Sequence, residues 1–583
     1  MRKTKIICTL GPSSETEETV RKMILAGMDV ARLNFSHGDH ESHKVKADLV
    51  KKLRNELGMH TALLLDTKGP EIRLKKFRKN KVTLTAGQKF RLLMGTDEDG
   101  DENGVSITYD GLYKDVKQGN IILIDDGLIE LKVDSCTENA IECTVINGGT
   151  VSNQKGINIP GVRLTIPFIN QKDREDIAFG AKEGFDFIAA SFTQCAEDIN
   201  LVRHELEKNG GKNTRIIAKI ENAAGVENID EILAVADGIM VARGDLGAEI
   251  AFEEIPIIQK RLISKCYNEG KQVITATQML ESMTHQPRPT RAEITDVANA
   301  IFDGTSAIML SGETASGLYP IEAVETMAKI AERTEQDIDY GSRFSNIRVS
   351  GFSDVPRAIS HATCTTANDL NAAAIITVTK SGRTARMLSR FRPATPIIGC
   401  SPDPQICRHM NMSWGITPLL IEEKTSTDDL LAHTIEVTSK HGLVNHGDVV
   451  VITAGIPLGV SGTTNMMKVQ IVGNVLVSGI GIGEGTACGN LCVCKNEDEA
   501  IEKFKDGDIL VIPFATQKII GILKKSSAII CEHSDTGSYA AVAGQVLGRP
   551  VIVGAAGATK ILHSGTAVTV DSKKGLVFCS GNG

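Results

Sequence analysis

Lys219 and Glu221 stand two positions apart at the end of the apolar run "RIIAKIEN". Alternate residues of a strand share a face, so both side chains leave the strand on one side. A buried ammonium beside a carboxylate is costly unless the two pair or something else engages them. An internal ion pair is one reading. The other is a carboxylate that holds a metal next to an ammonium that faces substrate. A further acid, Asp245, follows the run "GIMVAR" in a tight glycine turn, from which "DLGAEI" can begin a short helix. Backbone N–H groups at such a turn suit a carboxylate or a phosphate. Glu221 and Asp245 could share Mg²⁺, which takes few carboxylates plus substrate oxygens. Thr277, in "ITATQML", falls at the next strand end, where an ordinary strand threonine is the plainer reading.

Two earlier stretches add polar groups. "ARLNFSHG" places Arg32, Asn34 and Ser36 on one face, and "LLLDTKGPEIR" supplies Asp66, Thr67 and Arg73. The guanidinium fork matches phosphate oxygens, and Asn, Ser and Asp oxygens together can hold a hard monovalent cation. Taken singly, each residue also reads as a cap or a strand-end hydrogen bond. Taken together, their shared position at strand ends points to a site.

The elements that must carry these residues repeat. Eight apolar runs end in polar or glycine-rich signals: "TKIICTLGP", "MDVARLNFSHG", "TALLLDTKGPEIR", "FDFIAASF", "RIIAKIEN", "DGIMVARGDLG", "KQVITATQML" and "TSAIMLSGETASG". Amphipathic segments such as "SSETEETVRKMILAG" separate most of them. The alternation predicts an α/β protein built on a (β/α)₈ TIM barrel over residues 1–70 and 168–341, with its chemistry at the C-terminal strand ends. Between Pro70 and Pro167 the pattern changes to short β runs and turns, which predicts an inserted β-barrel lid domain over 71–167. A C-terminal α/β regulatory domain is expected over 342–473, and an extra small α/β C-terminal domain over 474–583.

Composition narrows the class. A chain of 583 residues has room for several domains, and a net charge of −8 with no basic block argues against nucleic-acid or membrane partners. No run approaches the roughly 20 apolar residues that span a bilayer, and the N-terminal apolar run is too short for a secretory signal. Thirteen cysteines without framework spacing fit thiols in a reducing cytoplasm.

The motifs "ARLNFSHG", "LLDTKGPEIR", "AKIEN", "MVARGDLG", "TATQMLESM" and "MLSGETASG" occur in order, and with them residues 1–472 closely resemble pyruvate kinase. The resemblance implies phosphoryl transfer from phosphoenolpyruvate to ADP, giving ATP and pyruvate in the last step of glycolysis, by a homotetramer. It implies Mg²⁺ (or Mn²⁺) on Glu221 and Asp245, and K⁺ among Asn34, Ser36, Asp66 and the Thr67 carbonyl. Lys219 is expected to stabilise the phosphoryl group in flight, and Arg32 to bind phosphate. Backbone groups of Gly244 and Asp245 would hold the substrate carboxylate, and Thr277 would sit by the reacting carbon with a proton-donating water near it. Arg73, His37 and Lys155, with Asn34 and Ser36, are the expected nucleotide contacts. In this family an acidic residue at the place of Glu71 accompanies dependence on K⁺.

Two features lie beyond that core. "TVTKSGRTAR" runs from a strand through a Ser-Gly turn into a helix, so Thr379, Lys380, Ser381, Gly382 and Thr384 could cradle a phosphate, or merely cap the helix. The resemblance places a phosphorylated effector there. "GSYAAVAGQVLGRPVIVG" resembles the swivelling phosphohistidine domain of phosphoenolpyruvate-utilising enzymes, but Tyr539 stands where that pattern has its histidine, and His533 lies upstream. Cys488, Cys492 and Cys494 lack the paired second cluster of a structural zinc site. A Mg²⁺-dependent barrel lyase or aldolase acting on a keto-acid enolate is the alternative. It would account for Glu221 and Asp245, but not for Asn34, Ser36, Asp66 and Arg73. A catalytically silent homologue is disfavoured, because every expected polar residue is present.

Overall fold

The computed structural model of the protein describes residues 2–125, 127–162, 164–345, 354–456, 464–473, 475–483 and 485–579. They form two compact units, one of residues 1–364, 377–423 and 454–465, the other of 365–376, 424–453 and 466–583. Residue 474, the expected start of the extra domain, lies outside the described residues.

The first unit is built on a closed barrel of eight strands: β1 (Lys5–Thr9), β2 (Val30–Asn34), β3 (Ala62–Asp66), β4 (Phe187–Ala190), β5 (Arg215–Ile220), β6 (Gly238–Ala242), β7 (Gln272–Ala276) and β8 (Ala307–Leu310). Each strand lies parallel to its neighbours, β8 closing on β1. All eight runs read as strands from the sequence are these strands. Capped helices intervene. Gln171–Glu183, for example, opens on a reciprocal Asn170–Asp173 cap and stops at left-handed Gly184.

The strand period places the polar residues. Ile7, Val30, Leu64, Ala189 and Ile217 share one apolar cluster inside the barrel with Met240, Ile274 and Met412. Two residues further along the same strands come Thr9, Arg32, Asp66, Ser191 and Lys219, which therefore face the same interior at its C-terminal mouth. Met412 belongs to the 377–423 segment of this unit. There Arg408 Nε donates to buried Asp186 at 2.7 Å, and Ile397–Ser401 pairs in parallel with Ile416–Leu420.

The insertion after β3 forms a seven-stranded, mostly antiparallel sheet over its own core of Phe90, Leu92, Ile122 and Leu131. Its edge strands, Ile72–Arg73 and Gly104–Ser106, are joined by a Leu74–Ile107 bridge. Hydrogen bonds from Lys75 N to Ser106 O (2.7 Å) and from Thr108 N to Arg73 O (3.0 Å) complete the seam. The sheet thus closes on itself as the expected β-barrel. One short helix, Leu112–Asp115, interrupts it.

The second unit contains a mixed eight-stranded sheet. Its centre is parallel, Thr486–Val493 beside Ile509–Ile512, then Ala528–Cys531, then Val551–Val553, and antiparallel strands flank it. Helix Tyr539–Leu547 is capped by Ser538. No helix among the described residues is long and apolar enough to cross a membrane.

Candidate active site

At the mouth of the barrel the inward-facing residues form one ion-paired ring. Arg32 Nε meets Asp66 Oδ2 at 2.7 Å, and Arg32 also donates to Thr9 Oγ1 at 2.8 Å. Lys219 Nζ lies 3.1 Å from Asp66 Oδ1 and 2.8 Å from Glu221 Oε1. Its third contact is Ser191 Oγ at 2.8 Å. Ser191 Oγ in turn reaches the Thr67 carbonyl at 2.6 Å, and Phe192 N donates to Glu221 Oε2 at 2.5 Å. Asp66 and Glu221 are both buried. The ion pair and the shared strand face read from the sequence therefore coexist: Lys219 bridges two carboxylates rather than one.

The charges follow from this packing. Burial alone would depress the Lys219 ammonium, but Asp66, Glu221 and Asp245 outweigh it and hold its pKa above the ordinary lysine value. Burial would likewise raise Asp66, yet Lys219 and Arg32 keep that carboxyl below its usual value. Glu221 goes the other way. Burial, with the negative charges of Asp245 and Asp66, pushes it up to about 7 despite Lys219. A buried carboxyl whose proton affinity is raised by neighbouring carboxylates marks a place that favours a bound cation.

The turn after β6 differs from the sequence reading. Asp245 does not open the helix after a glycine turn; helix Arg243–Glu249 starts two residues earlier and carries Gly244 and Asp245 in its first turn. "VARGDL" contains no residue that forces a break, so the helix begins directly from the strand. Gly244 N, expected to hold a substrate carboxylate, here donates to Thr277 Oγ1 at 2.8 Å. Thr277 and Gln278 lie in the left-handed region at φ 70° and 53°. For a β-branched residue this is strained, and such strain persists only where the surroundings impose it. Arg243 imposes it, donating to the Thr277 carbonyl at 2.7 Å and the Ala276 carbonyl at 3.3 Å while paired with Asp296 at 2.7 Å.

The other expected residues separate into groups. Asn34 and Asp66 are direct cross-strand partners on β2 and β3, and Asn34 Oδ1 accepts from Ser36 N at 3.1 Å. With Thr67 beside Asp66, this brings the four expected K⁺ ligands to one corner of the mouth. Ser36, His37 and Arg73 line one cavity of about 500 Å³, together with Lys68 and Gln154. Arg73 also borders a larger cleft of about 830 Å³ with Lys155, Asn222, Asp245 and Glu249. Asn34 lines neither. Arg73 Nε pairs with Glu71 at 2.8 Å, and Lys155 with Asp125 at 2.8 Å.

Sequence reasoning missed Ser191, Thr9 and Arg243. The first two were findable by parity, since each stands two residues beyond an interior apolar residue of its strand. Arg243 carried no such signal, because its role depends on reaching the next strand.

In the 377–386 segment, Gly382 is left-handed at φ 71° and its N–H donates to Thr379 Oγ1 at 3.0 Å. Lys380 pairs with Glu423, the Ser381 carbonyl accepts from Arg386, and Thr384 Oγ1 meets Thr464 Oγ1 at 2.5 Å. The turn-to-helix geometry is the one expected, with the two threonine hydroxyls already engaged. In the second unit, His533 and Ser538 line an open cavity of about 610 Å³ whose lining does not include Tyr539. Cys492 and Cys494 Sγ approach to 3.6 Å, and no cluster of three metal-ligating His, Cys, Asp or Glu side chains occurs among the described residues.

Comparison with known proteins adds independent findings. Residues 1–324 match the family model for the pyruvate kinase barrel domain, and 357–470 that for the pyruvate kinase alpha/beta domain. Residues 504–575 match the mobile domain of PEP-utilising enzymes. The chain is 48% identical to the pyruvate kinase of Sporosarcina psychrophila over 580 residues, covering 99% of each. It is 47% identical to that of Bacillus licheniformis over 581 residues, again 99% of each. A pyruvate kinase of Clostridium acetobutylicum is 51% identical over 472 residues, which is all of that protein and 81% of this chain.

Proposed function

The chain belongs to the pyruvate kinase family, and from that premise we propose how its strand-end residues divide the work. The activity is transfer of the phosphoryl group of phosphoenolpyruvate to ADP, yielding pyruvate and ATP at the close of glycolysis. The observation that carries the assignment of residues is the buried ring of Arg32, Asp66, Lys219 and Glu221 at the barrel mouth.

Phosphoryl transfer needs its charge clamped and its partners aligned more than it needs covalent help. Lys219 presents its ammonium to the moving group, held in place by Asp66, Glu221 and Ser191. Arg32, tethered by Asp66 and Thr9, binds the phosphate of the donor. Thr277 faces the reacting carbon from its strained position, and its hydroxyl releases the Gly244 N–H so that Gly244 and Asp245 can take the substrate carboxylate. A water ordered near Thr277 protonates the enolate carbon, since a threonine hydroxyl has no suitable pKa itself. Arg73, Lys155, Ser36, His37 and Asn34 receive the nucleotide, and the inserted barrel closes over the mouth to exclude water.

Glu221 and Asp245 fit a divalent cation, Mg²⁺ or Mn²⁺, because the raised proton affinity of Glu221, to which the Asp245 charge contributes, is the mark of uncompensated negative charge. Bound there, the cation would supply positive charge to the phosphoryl and enolate oxygens. Asn34, Ser36, Asp66 and the Thr67 carbonyl offer the oxygen set that K⁺ requires. The 379–384 segment receives a phosphorylated effector, the enzyme works as a homotetramer in the cytoplasm, and the tail has a structural or assembly role. ATP formation from phosphoenolpyruvate and ADP, followed in a coupled assay with each cation omitted in turn, tests the core of this reading. Activity undiminished without a divalent cation would refute it. An effector response unchanged in Ser381→Ala/Thr384→Ala would move that pocket elsewhere.

A further inference from the structure

Helix Arg383–Arg390 carries Arg386 and Arg390 four residues apart on one side, and Arg392 follows in the left-handed region at φ 48°. That turn sends the Arg392 guanidinium back against the base of the barrel, where β7 and β8 begin. Nη2 donates to the Gly304 carbonyl at 2.8 Å and lies 3.4 Å from Ser306 Oγ. The guanidinium also sits over the Trp414 indole, 4.6 Å from its centroid.

These contacts leave much of its charge unanswered. Arg392 is only 7% exposed, yet its Nε and Nη1 have no hydrogen-bond partner among the described residues. Arg390 Nη1 is buried and unpartnered in the same way. Both line one small cleft with Arg386, Lys271, Ser389 and Trp414, and no carboxylate lines it. Lys271 spends its ammonium on the Leu233 and Ala236 carbonyls. The acids nearby are committed elsewhere: Asp237 to Arg215 and Arg203, Glu269 to Arg357 at 3.9 Å, and Glu335, whose charge reaches Arg392, to the Lys3 and Thr4 N–H groups.

Burial pushes Arg392 down to about 9 and Arg386 to about 10, so both remain charged at neutral pH. A buried cation without a counter-charge is among the costliest arrangements in a protein interior. Water can satisfy the N–H groups but not the charge. An anion satisfies both, and guanidinium N–H groups beside an aromatic face are well suited to hold one. The free space is about that of one water molecule or a monatomic ion, which favours a small ligand over an organic one.

We propose that this cleft binds a small inorganic anion, of about chloride size, on the free N–H groups of Arg390 and Arg392. The bound anion ties helix Arg383–Arg390 to Arg392, whose guanidinium rests on Gly304 and Ser306 just ahead of β8. It is separate from the barrel mouth and from the 379–384 turn, and shares no residue with either.

Trp414 is the only tryptophan in the chain, so intrinsic tryptophan fluorescence reports on this cleft alone. The full-length protein would be titrated with sodium chloride and, separately, sodium phosphate, with sodium gluconate holding ionic strength constant. The expected result is a saturable change in Trp414 emission and a rise in Tm over the same concentration range. Arg390→Gln should weaken the apparent affinity at least tenfold, and Arg392→Leu should abolish the response. Saturation by chloride supports the site, and saturation by phosphate alone would overturn it. No saturable response to either salt in the parent protein would overturn the proposal. So would an unchanged response in Arg390→Gln, a half-buried position, with circular dichroism checking that the variant is folded.

Discussion

Arg243 holds Thr277 by its main chain: the guanidinium donates to the Thr277 carbonyl at 2.7 Å while Thr277 sits at φ 70°. The strain at Thr277 is therefore maintained from the neighbouring strand end, by a residue that also anchors on Asp296. Arg243→Lys keeps the charge but loses the fork that spans two carbonyls and a carboxylate. We expect kcat to fall about 100-fold, the scale of a 1 Å misplacement, with circular dichroism unchanged. A kcat within twofold of the parent would show that Thr277 holds its position without Arg243.

Lys219→Met should remove most phosphoryl transfer, by several powers of ten if the lost charge contributes ~4 kcal/mol in the closed site. Divalent-cation-dependent proton exchange at the pyruvate methyl should survive, because Glu221 and Asp245 are untouched. The variant should also be less stable without added Mg²⁺, since Asp66 and Glu221 lose the ammonium between them. If exchange disappeared along with transfer while Mg²⁺ still bound, the division of roles between Lys219 and the two acids would be wrong.

Glu71 lies 2.8 Å from Arg73, so its charge is part of the nucleotide side of the mouth. Glu71→Lys places a cation where the parent has an anion, supplying locally what K⁺ otherwise provides. The parent should need K⁺ for most of its rate, and the variant should lose most of that dependence while its KM for ADP rises. Rates measured in K⁺-free and Na⁺-free buffer decide this, and full parental activity there would end the idea.

Stability should fall on the acid side through His409. Burial, with Arg215 and Arg386 adding to it, pushes this imidazole down to about 3, against 6.5 in an unfolded chain. The folded state thus refuses a proton that the unfolded chain accepts, so this group's contribution is complete above pH 6.5 and is lost progressively below it. The loss is about 1.4 kcal/mol per pH unit. Glu221, raised to about 7, works in the opposite direction between its ordinary 4.5 and 7, which is why a direct comparison is needed. Urea unfolding of the parent and His409→Gln at pH 8, 6 and 5 should show the parent losing stability relative to the variant as pH falls. Parallel curves would exclude the mechanism.

The tail should carry no phosphoryl group. Tyr539 opens helix Tyr539–Leu547, and a phenol neither attacks phosphorus readily nor releases it as an imidazole does. Incubation with labelled phosphoenolpyruvate should leave no acid-labile label on the protein. Label recovered on His533, which lines the cavity beside Ser538, would reverse that conclusion.

The barrel and most of its mouth were legible in the sequence because both depend on local regularities. A strand's alternation announces which residues share a face, and a run that ends in "RIIAKIEN" or "LLLDTKG" announces where the polar ones begin. What alternation cannot announce is the partner across a gap. Lys219 bridges to Asp66 from a strand more than 150 positions away, and Arg243 reaches Thr277 through a helix start that no glycine or proline signals. The closure of the inserted sheet was likewise expected as a barrel, but its seam at Leu74 and Ile107 rests on a single bridge. The two Arg392 nitrogens left without a partner among the described residues had no trace at all in the sequence, since that is a property of the fold.

The two-residue step from the apolar interior to the polar mouth also governs how such a barrel can change over generations. A substitution at Arg32, Asp66, Ser191 or Lys219 alters one contact in the ring. Adding or deleting one residue inside β5 would instead turn Lys219 outward and bring a hydrocarbon into the mouth, inverting every later position of the strand. A two-residue insertion would restore the side but displace the ammonium by a full layer from Asp66. Within these strands a change of length disturbs the mouth more than a change of identity does, whereas the loops and the inserted barrel between them can absorb one without turning a side chain over.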